Sequence, residues 1–166
     1  MDLIIQDNFL TSKQKTFLDN LFLSAKIPFF LWNHSIVVGD GNYHFIHKLL
    51  EEGQTSYVFN DVKPILDSFC RKNNISYKQI FRAAFNITFN HGNDNCGIHQ
   101  DHKRAHNQLI IYLNDQDGDT VILDNKKQPL KIVTPKKFRG FCFSQKFHYH
   151  YYPRKGIRKI LIFTFK

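Results

Sequence analysis

Phe81-Arg-Ala-Ala-Phe85-Asn-Ile-Thr-Phe89-Asn90 puts Phe81, Ala83, Phe85, Ile87 and Phe89 at every second position, with Arg82, Ala84, Asn86, Thr88 and Asn90 between them. Alternation of this kind marks a strand with one apolar and one polar face. The segment therefore predicts a sheet that buries one side and can turn its polar side toward a cavity. The same period persists to the C-terminus. Further strands are expected near 108–113, 119–124, 130–134, 138–144, 146–152 and 158–165, separated by turn-forming Asn, Asp, Gly and Pro. Composition agrees, because 17 Phe and 7 Tyr against one Met and one Trp make the apolar content aromatic, which suits strands.

Upstream of Asn73-Asn74 the period is helical. Phe17, Leu18, Leu21 and Phe22 follow a Thr11-Ser12 cap candidate and predict an amphipathic helix over 12–24, closed by Pro28. Phe45, Ile46, Leu49 and Leu50 suggest a second helix over 42–51, with Gly53 at its end. A third is expected over 61–72, with Asp61 as cap and Pro64 in the first turn. His34, His44 and His47 fall in this half and read as surface or hydrogen-bonded helix residues. Helices first and short strands afterwards argue for an α+β fold, in which helices in about 10–75 brace a β-sandwich or rolled barrel in about 80–166. A chain of 166 residues is long enough for one domain with a single core.

No apolar run reaches the ~18 residues of a membrane span, and the first residues lack the charged start and long apolar core of a signal peptide. A soluble, cytoplasmic protein with no membrane partner is expected. Cys70, Cys96 and Cys142 are odd in number and far apart, so they read as small buried hydrophobes rather than a disulfide framework or a thiolate zinc site. The net charge of +9 would draw the chain toward nucleic acid, acidic proteins or anionic surfaces. Lys126, Lys127, Lys131, Lys136, Lys137 and Arg139 form one basic cluster, and Arg154, Lys155, Arg158 and Lys159 another. A solvated basic face with no particular partner explains these equally well.

Two histidines and a carboxylate on one face of an octahedral metal leave three positions open, which lets Fe(II) bind a cosubstrate and dioxygen together. His99-Gln100-Asp101 can supply two such ligands, since residues i and i+2 of an extended segment point to the same side. A triplet of this kind arises by chance roughly 0.65 times in a chain with nine His and twelve Asp, so context has to carry it. The context is an apolar run at 108–113, a polar turn at Asn114–Gly118, a second apolar run from Thr120 to Leu123, then His148, with Gly156 and Arg158 eight and ten residues beyond.

This order resembles the Fe(II)- and 2-oxoglutarate-dependent dioxygenases, in their prolyl-4-hydroxylase-like branch. Tyr112-Leu-Asn114 and Gly118-Asp-Thr120 match the stretches that lie there between the His-x-Asp and the distal histidine, and Gly156-Ile-Arg158 matches the Gly-x-Arg beyond it. At the front, Asp7-Asn-Phe-Leu10, Ile27-Pro-Phe-Phe30 and Arg82-Ala-Ala-Phe-Asn86 look like landmarks of small oxygenases of bacteria and their phages.

The resemblance implies a double-stranded β-helix (jelly-roll, cupin-like) core and an iron site of His99, Asp101 and His148. It further implies Arg158 gripping the C5 carboxylate of 2-oxoglutarate, and dioxygen as cosubstrate. Succinate and CO2 are released as a substrate C–H bond is hydroxylated. Phe147-His-Tyr-His150 offers two histidines on one strand face. The ten-residue interval to Arg158 that the resemblance requires selects His148 and leaves His150 as a substrate-side candidate.

Tyr112 and Thr120 are candidates for the cosubstrate pocket, and Asn86, His102 and His150 for substrate contact, with His102 and His106 expected to be exposed in a polar loop. The substrate is unidentified: a protein side chain such as proline, or a small molecule. A nucleic-acid demethylase would account for the charge. Its Arg-x-Asn-x-Thr-x-Arg ending, however, is matched by Arg158-Lys-Ile-Leu-Ile-Phe-Thr164-Phe-Lys166 only in part, lacking the Asn and the final Arg. A cupin-like binding module without catalysis is the third reading.

Overall fold

A computed structural model describes residues 3–24, 27–34 and 40–166. Helices α1 (Ser12–Leu23) and α2 (Phe59–Lys72) are accompanied in the front half by strands β1 (Ile4–Gln6), β2 (Phe30–Trp32), β3 (His44–Glu51) and β4 (Gln54–Thr55). The strands that follow are β5 (Ile80–Phe89), β6 (Asn107–Tyr112), β7 (Thr120–Leu123), β8 (Pro129–Val133), β9 (Gly140–Ser144), β10 (His148–His150) and β11 (Ile157–Phe165). All pairings between them are antiparallel. The larger sheet runs β1-β9-β6-β11-β5-β3-β2, with β4 paired to β3 off that path, and the smaller runs β10-β7-β8.

Strand alternation sorts the core into two layers. On the larger sheet Ala83, Phe85, Leu109, Ile111, Cys142, Leu161, Phe163 and Phe165 face the helices and pack with Leu18, Leu21, Val62, Ile65, Leu66 and Phe69. Their neighbours of opposite parity, Ala84, Ile110, Tyr112, Phe141, Phe143, Ile160 and Ile162, pack with Ile122 and Val133 of the smaller sheet. A strand buried on both faces reads as a continuous apolar run, which is why 108–113 and 158–165 are so apolar. The polar face of β5 lies between the sheets at the point where this second layer gives way to a cavity.

α1 forms as expected, with Thr11 and Gln14 closing a capping box. α2 begins two residues earlier than expected, at Phe59, so Asp61 lies inside the first turn rather than at the cap, where Val58 makes no side-chain bond. Pro64 is correspondingly deeper in the helix. The predicted helix over 42–51 is instead β3. A bulge between Lys48 and Leu50 inserts Leu49 into the strand, so the alternation breaks and the apolar residues fall at an apparently helical spacing. Gly53 does not end a helix; Glu52 and Gly53, both at positive φ, make the two-residue turn that joins β3 to β4. His47, on this strand, is buried between the Pro28 carbonyl (Nδ1, 2.7 Å) and the Ser56 hydroxyl (Nε2, 2.8 Å).

All three cysteines are free and buried, as read from the sequence. Among the described residues no helix is long and apolar enough to cross a membrane. Part of the basic cluster is internally matched: Arg139 and Lys136 pair with Asp7, and Lys137 with Asp19. Arg154 pairs with Asp117. Lys126, Lys127 and Lys131 are exposed along the β7–β8 hairpin.

Candidate metal centre and anion pocket

His99 does not lie on a named strand. It sits in the connection from β5 to β6 and joins β10 through one antiparallel bridge, in which His99 and His148 each donate a backbone N–H to the other's carbonyl at 3.0 Å. That bridge holds the two rings side by side, with centroids 4.4 Å apart. Asp101, two residues on, brings Oδ1 to 3.5 Å from His99 Nε2 and 3.7 Å from His148 Nε2. The ligand atoms of His99, Asp101 and His148 all lie within 4.8 Å of one another. Adjacent ligands of one ion at ~2.1 Å sit roughly 3 Å apart, so the two imidazole–carboxylate spacings come close to a shared ion.

The other ring nitrogens fix which atoms face the centre. His99 Nδ1 is 3.0 Å from the Gly97 carbonyl and His148 Nδ1 is 3.3 Å from the Lys146 carbonyl. A carbonyl can only accept, so each Nδ1 carries a hydrogen and each Nε2 is the atom that faces Asp101. Burial would lower the pKa of His99, but its bonds to Asp101 and Cys96 outweigh that and push it up to about 10. His148 is pushed down to about 4, by burial first and then by the charge of His99. Burial would raise Asp101, yet the His99 bond and the charges of His148, His99 and Arg82 hold it well below the usual carboxylate range. A cation held by these groups would replace the His99 proton and would meet two neutral imidazoles and one carboxylate, the donor set suited to Fe(II).

Beside this trio the cavity is lined by Arg82, Asn86 and Thr88 of β5, Thr120 of β7, His150 of β10 and Arg158 of β11. Arg158 is 1% exposed. Its Nη2 donates to Thr120 Oγ1 at 2.8 Å, whereas Nε and Nη1 are buried without a partner. The hydroxyls of Thr120 and Tyr112 are 2.8 Å apart, and Tyr112 Oη is 2.8 Å from the Val133 carbonyl. That carbonyl must take the Tyr112 proton, so Thr120 donates to Tyr112 and accepts from Arg158.

Asn86 Oδ1, Thr88 Oγ1, Gln108 Oε1, Asp101 Oδ2 and His150 Nε2 are also buried without a hydrogen-bond partner, Asp101 Oδ2 lying 4.0 Å from Arg82 Nη1. Each such group costs ~1–3 kcal/mol, and a charged one more. Asn86, Gln108 and Asp101 present acceptor oxygens that call for a cation or a donor, whereas the unpaired Nε and Nη1 of Arg158 can meet an anion.

The sequence-predicted site residues thus come together around the inner cavity, except Tyr112 and His102. Tyr112 is not in the cavity wall; it stands behind Thr120, its ring 5.2 Å from the Arg158 Cζ. Asn86 and His150 line the inner cavity. His102 is half-buried, with Nε2 2.8 Å from Thr164 Oγ1, and lines an outer groove with Trp32, His34, Lys48, Glu51 and Gln100. His106, expected to be exposed, is buried with Nδ1 on the Arg104 carbonyl.

Sequence reasoning missed Arg82, Thr88, His44 and Gln108. The first two share the polar parity of Asn86, and Gln108 is the polar residue opening an apolar strand. His44 was hidden by the mistaken helix; burial pushes it down to about 4.

Gly118, in the turn before Thr120, has φ +93, and a Cβ there would meet the Tyr151 carbonyl at 2.8 Å and Arg158 Cδ at 3.4 Å. Gly118→Ala is expected to destabilise the fold by ~1–3 kcal/mol, from left-handed strain and steric overlap together. A urea midpoint indistinguishable from that of the parent protein would contradict this placement.

No family model matches the chain, and no curated protein matches it in sequence. Solved structures match it in fold. A 2OG-Fe(II) oxygenase family oxidoreductase from Burkholderia pseudomallei superposes with a TM-score of 0.77 at 14% identity, over 99% of this chain and 84% of that one. A Pseudomonas putida prolyl-4-hydroxylase gives 0.63 at 13% identity, over 99% and 91%. The epimerase SnoN, solved with Fe3+, alpha ketoglutarate and nogalamycin RO, gives 0.64 at 9% identity, over 98% and 78%. With two helices on one face of a mostly antiparallel sheet and a His-Asp-His group between its sheets, this chain has the fold of the 2OG-Fe(II) oxygenases.

Proposed function

We propose that this chain is an Fe(II)- and 2-oxoglutarate-dependent oxygenase that hydroxylates a C–H bond of its substrate, a protein side chain such as proline or a small molecule. The observation that carries the reading is Arg158, a fully buried guanidinium with Nε and Nη1 unpaired, in the same cavity as His99, Asp101 and His148. A guanidinium presents a planar fork that matches a carboxylate bidentately. In this reading the chain is one domain, and its two sheets are the walls of a double-stranded β-helix.

His99 Nε2, His148 Nε2 and Asp101 would hold the iron, and Arg158, positioned by Thr120, the far carboxylate of 2-oxoglutarate. The bound pair supplies oxidative decarboxylation of 2-oxoglutarate by dioxygen to succinate and CO2, coupled to oxidation of the substrate. Thr120, fixed between Tyr112 and Arg158, orients the guanidinium. Ile110, Ile160 and Ile162 close the cavity with apolar surface and keep water from the buried charges. The outer groove shares His44, Arg82, His99 and Asp101 with the inner cavity, so substrate would reach the His99–Asp101–His148 group along it.

Incubation of the Fe(II)-loaded chain with 2-oxoglutarate under air, followed by mass spectrometry, is expected to yield succinate. Added peptides, nucleosides and metabolites then identify the substrate as the species gaining one oxygen. Absence of succinate from iron-replete protein would rule against oxygenase chemistry and leave a binding module.

A further inference from the structure

Tyr112, expected to face the cosubstrate, has turned its hydroxyl to Val133 and Thr120, which leaves the question of what meets the far carboxylate besides Arg158. The register of the sheets supplies a residue. Opposite Thr120 on the neighbouring strand is His150, and Thr120 holds Arg158 Nη2 at 2.8 Å. Directly opposed residues of an antiparallel pair lie with Cβ atoms ~4.5–5.5 Å apart on one face, so the His150 ring stands beside the guanidinium. Its Nε2 is buried without a partner and its side chain lines the cavity. Tyr152 packs against the ring edge-on at 5.3 Å, and the His150 backbone N–H donates to Cys96 Sγ at 3.3 Å, so the ring is backed by Tyr152 and its backbone is anchored at Cys96.

We infer that His150 is a second contact of the anion pocket, an imidazole N–H that joins Arg158 in gripping the distal carboxylate of the keto-acid cosubstrate and so selects a dicarboxylate over a monocarboxylate. His148 and His150 share a strand face, two residues apart. The first turns toward Asp101 and the second toward Arg158, so one short strand serves both ends of the ligand. Nothing in the geometry gives His150 to the metal, since the convergent group is His99, Asp101 and His148. The inference rests on the oxygenase reading above, and its test separates the two.

The test uses the full chain loaded with Mn(II) in place of iron, so that ligand binding is measured without turnover. Calorimetry compares 2-oxoglutarate with 2-oxopentanoate, which keeps the keto acid and chain length but lacks the distal carboxylate. For His150→Phe the expected result is at least ~10-fold weaker 2-oxoglutarate binding, or about 1.4 kcal/mol, with 2-oxopentanoate changed less than ~2-fold. His150→Gln, which keeps an N–H donor, is expected to recover most of the loss, and its melting curve shows whether the site still folds. Equal weakening of both ligands, or of neither, in a folded variant overturns the role of His150. Failure of the parent Mn(II) protein to bind 2-oxoglutarate overturns the oxygenase reading itself.

Discussion

Replacement of His148 by Ala is expected to abolish metal retention, taking bound Fe(II) from one per chain to background and eliminating succinate formation. His148 is fully buried on β10, and its Nδ1–H on the Lys146 carbonyl commits Nε2 to the centre. Its backbone bridge to His99 is independent of the side chain and should survive the substitution. His99→Ala and Asp101→Ala are expected to do the same, because two remaining ligands cannot hold one face of an octahedral ion. His150→Ala should retain iron. Undiminished metal in folded His148→Ala, with loss at His150→Ala, would put the register of β7 and β10 wrong by two residues. Zinc or cobalt can substitute in purified protein, since affinity alone does not favour iron, so metal identity is to be fixed by anaerobic reconstitution.

Arg158→Met is expected to separate binding from stability. Losing the cationic partner of a buried carboxylate costs ~3–5 kcal/mol, which is more than 100-fold in 2-oxoglutarate affinity. Iron content should be unchanged, because Arg158 is not among the ligand-bearing group. The ligand-free variant should melt at or above the parent temperature, because the substitution removes a buried cation with two unpaired nitrogens and fills its space with apolar atoms. Lys159 is the control. Alternation turns it to the opposite face, where its ammonium lies 5.2 Å from the Phe22 ring, so Lys159→Ala should cost less than ~1 kcal/mol in ligand binding. Equal losses for the two substitutions, measured by calorimetry on Mn(II)-loaded protein, would refute the assignment of the anion pocket to Arg158.

What could be read from the sequence follows from how locally each feature is specified. The alternation of residues 81–89 disclosed both the strand and the polar face that lines the cavity, because an antiparallel strand carries its two environments in adjacent letters. The His-x-Asp spacing and the interval from His148 to Arg158 likewise survived translation into space. β3 did not, because the bulge at Leu49 breaks the period that would have marked it. The bridge that brings His99 to His148 is a single residue pair across 49 positions and leaves no periodic trace. The direction of the Tyr112 hydroxyl depends on the Val133 carbonyl of β8, a partner 21 residues away, so no local pattern could have shown that Tyr112 stands behind Thr120 instead of in the cavity wall.

The measurement that bears most directly on the site is an anomalous-difference map at the iron edge, from crystals grown anaerobically with Fe(II) and 2-oxoglutarate. One peak is expected at ~2.0–2.2 Å from His99 Nε2, His148 Nε2 and an Asp101 oxygen, with the keto acid chelated to it and its distal carboxylate on Arg158. A peak outside the His99–Asp101–His148 group, or a carboxylate bound away from Arg158, would contradict the assignment.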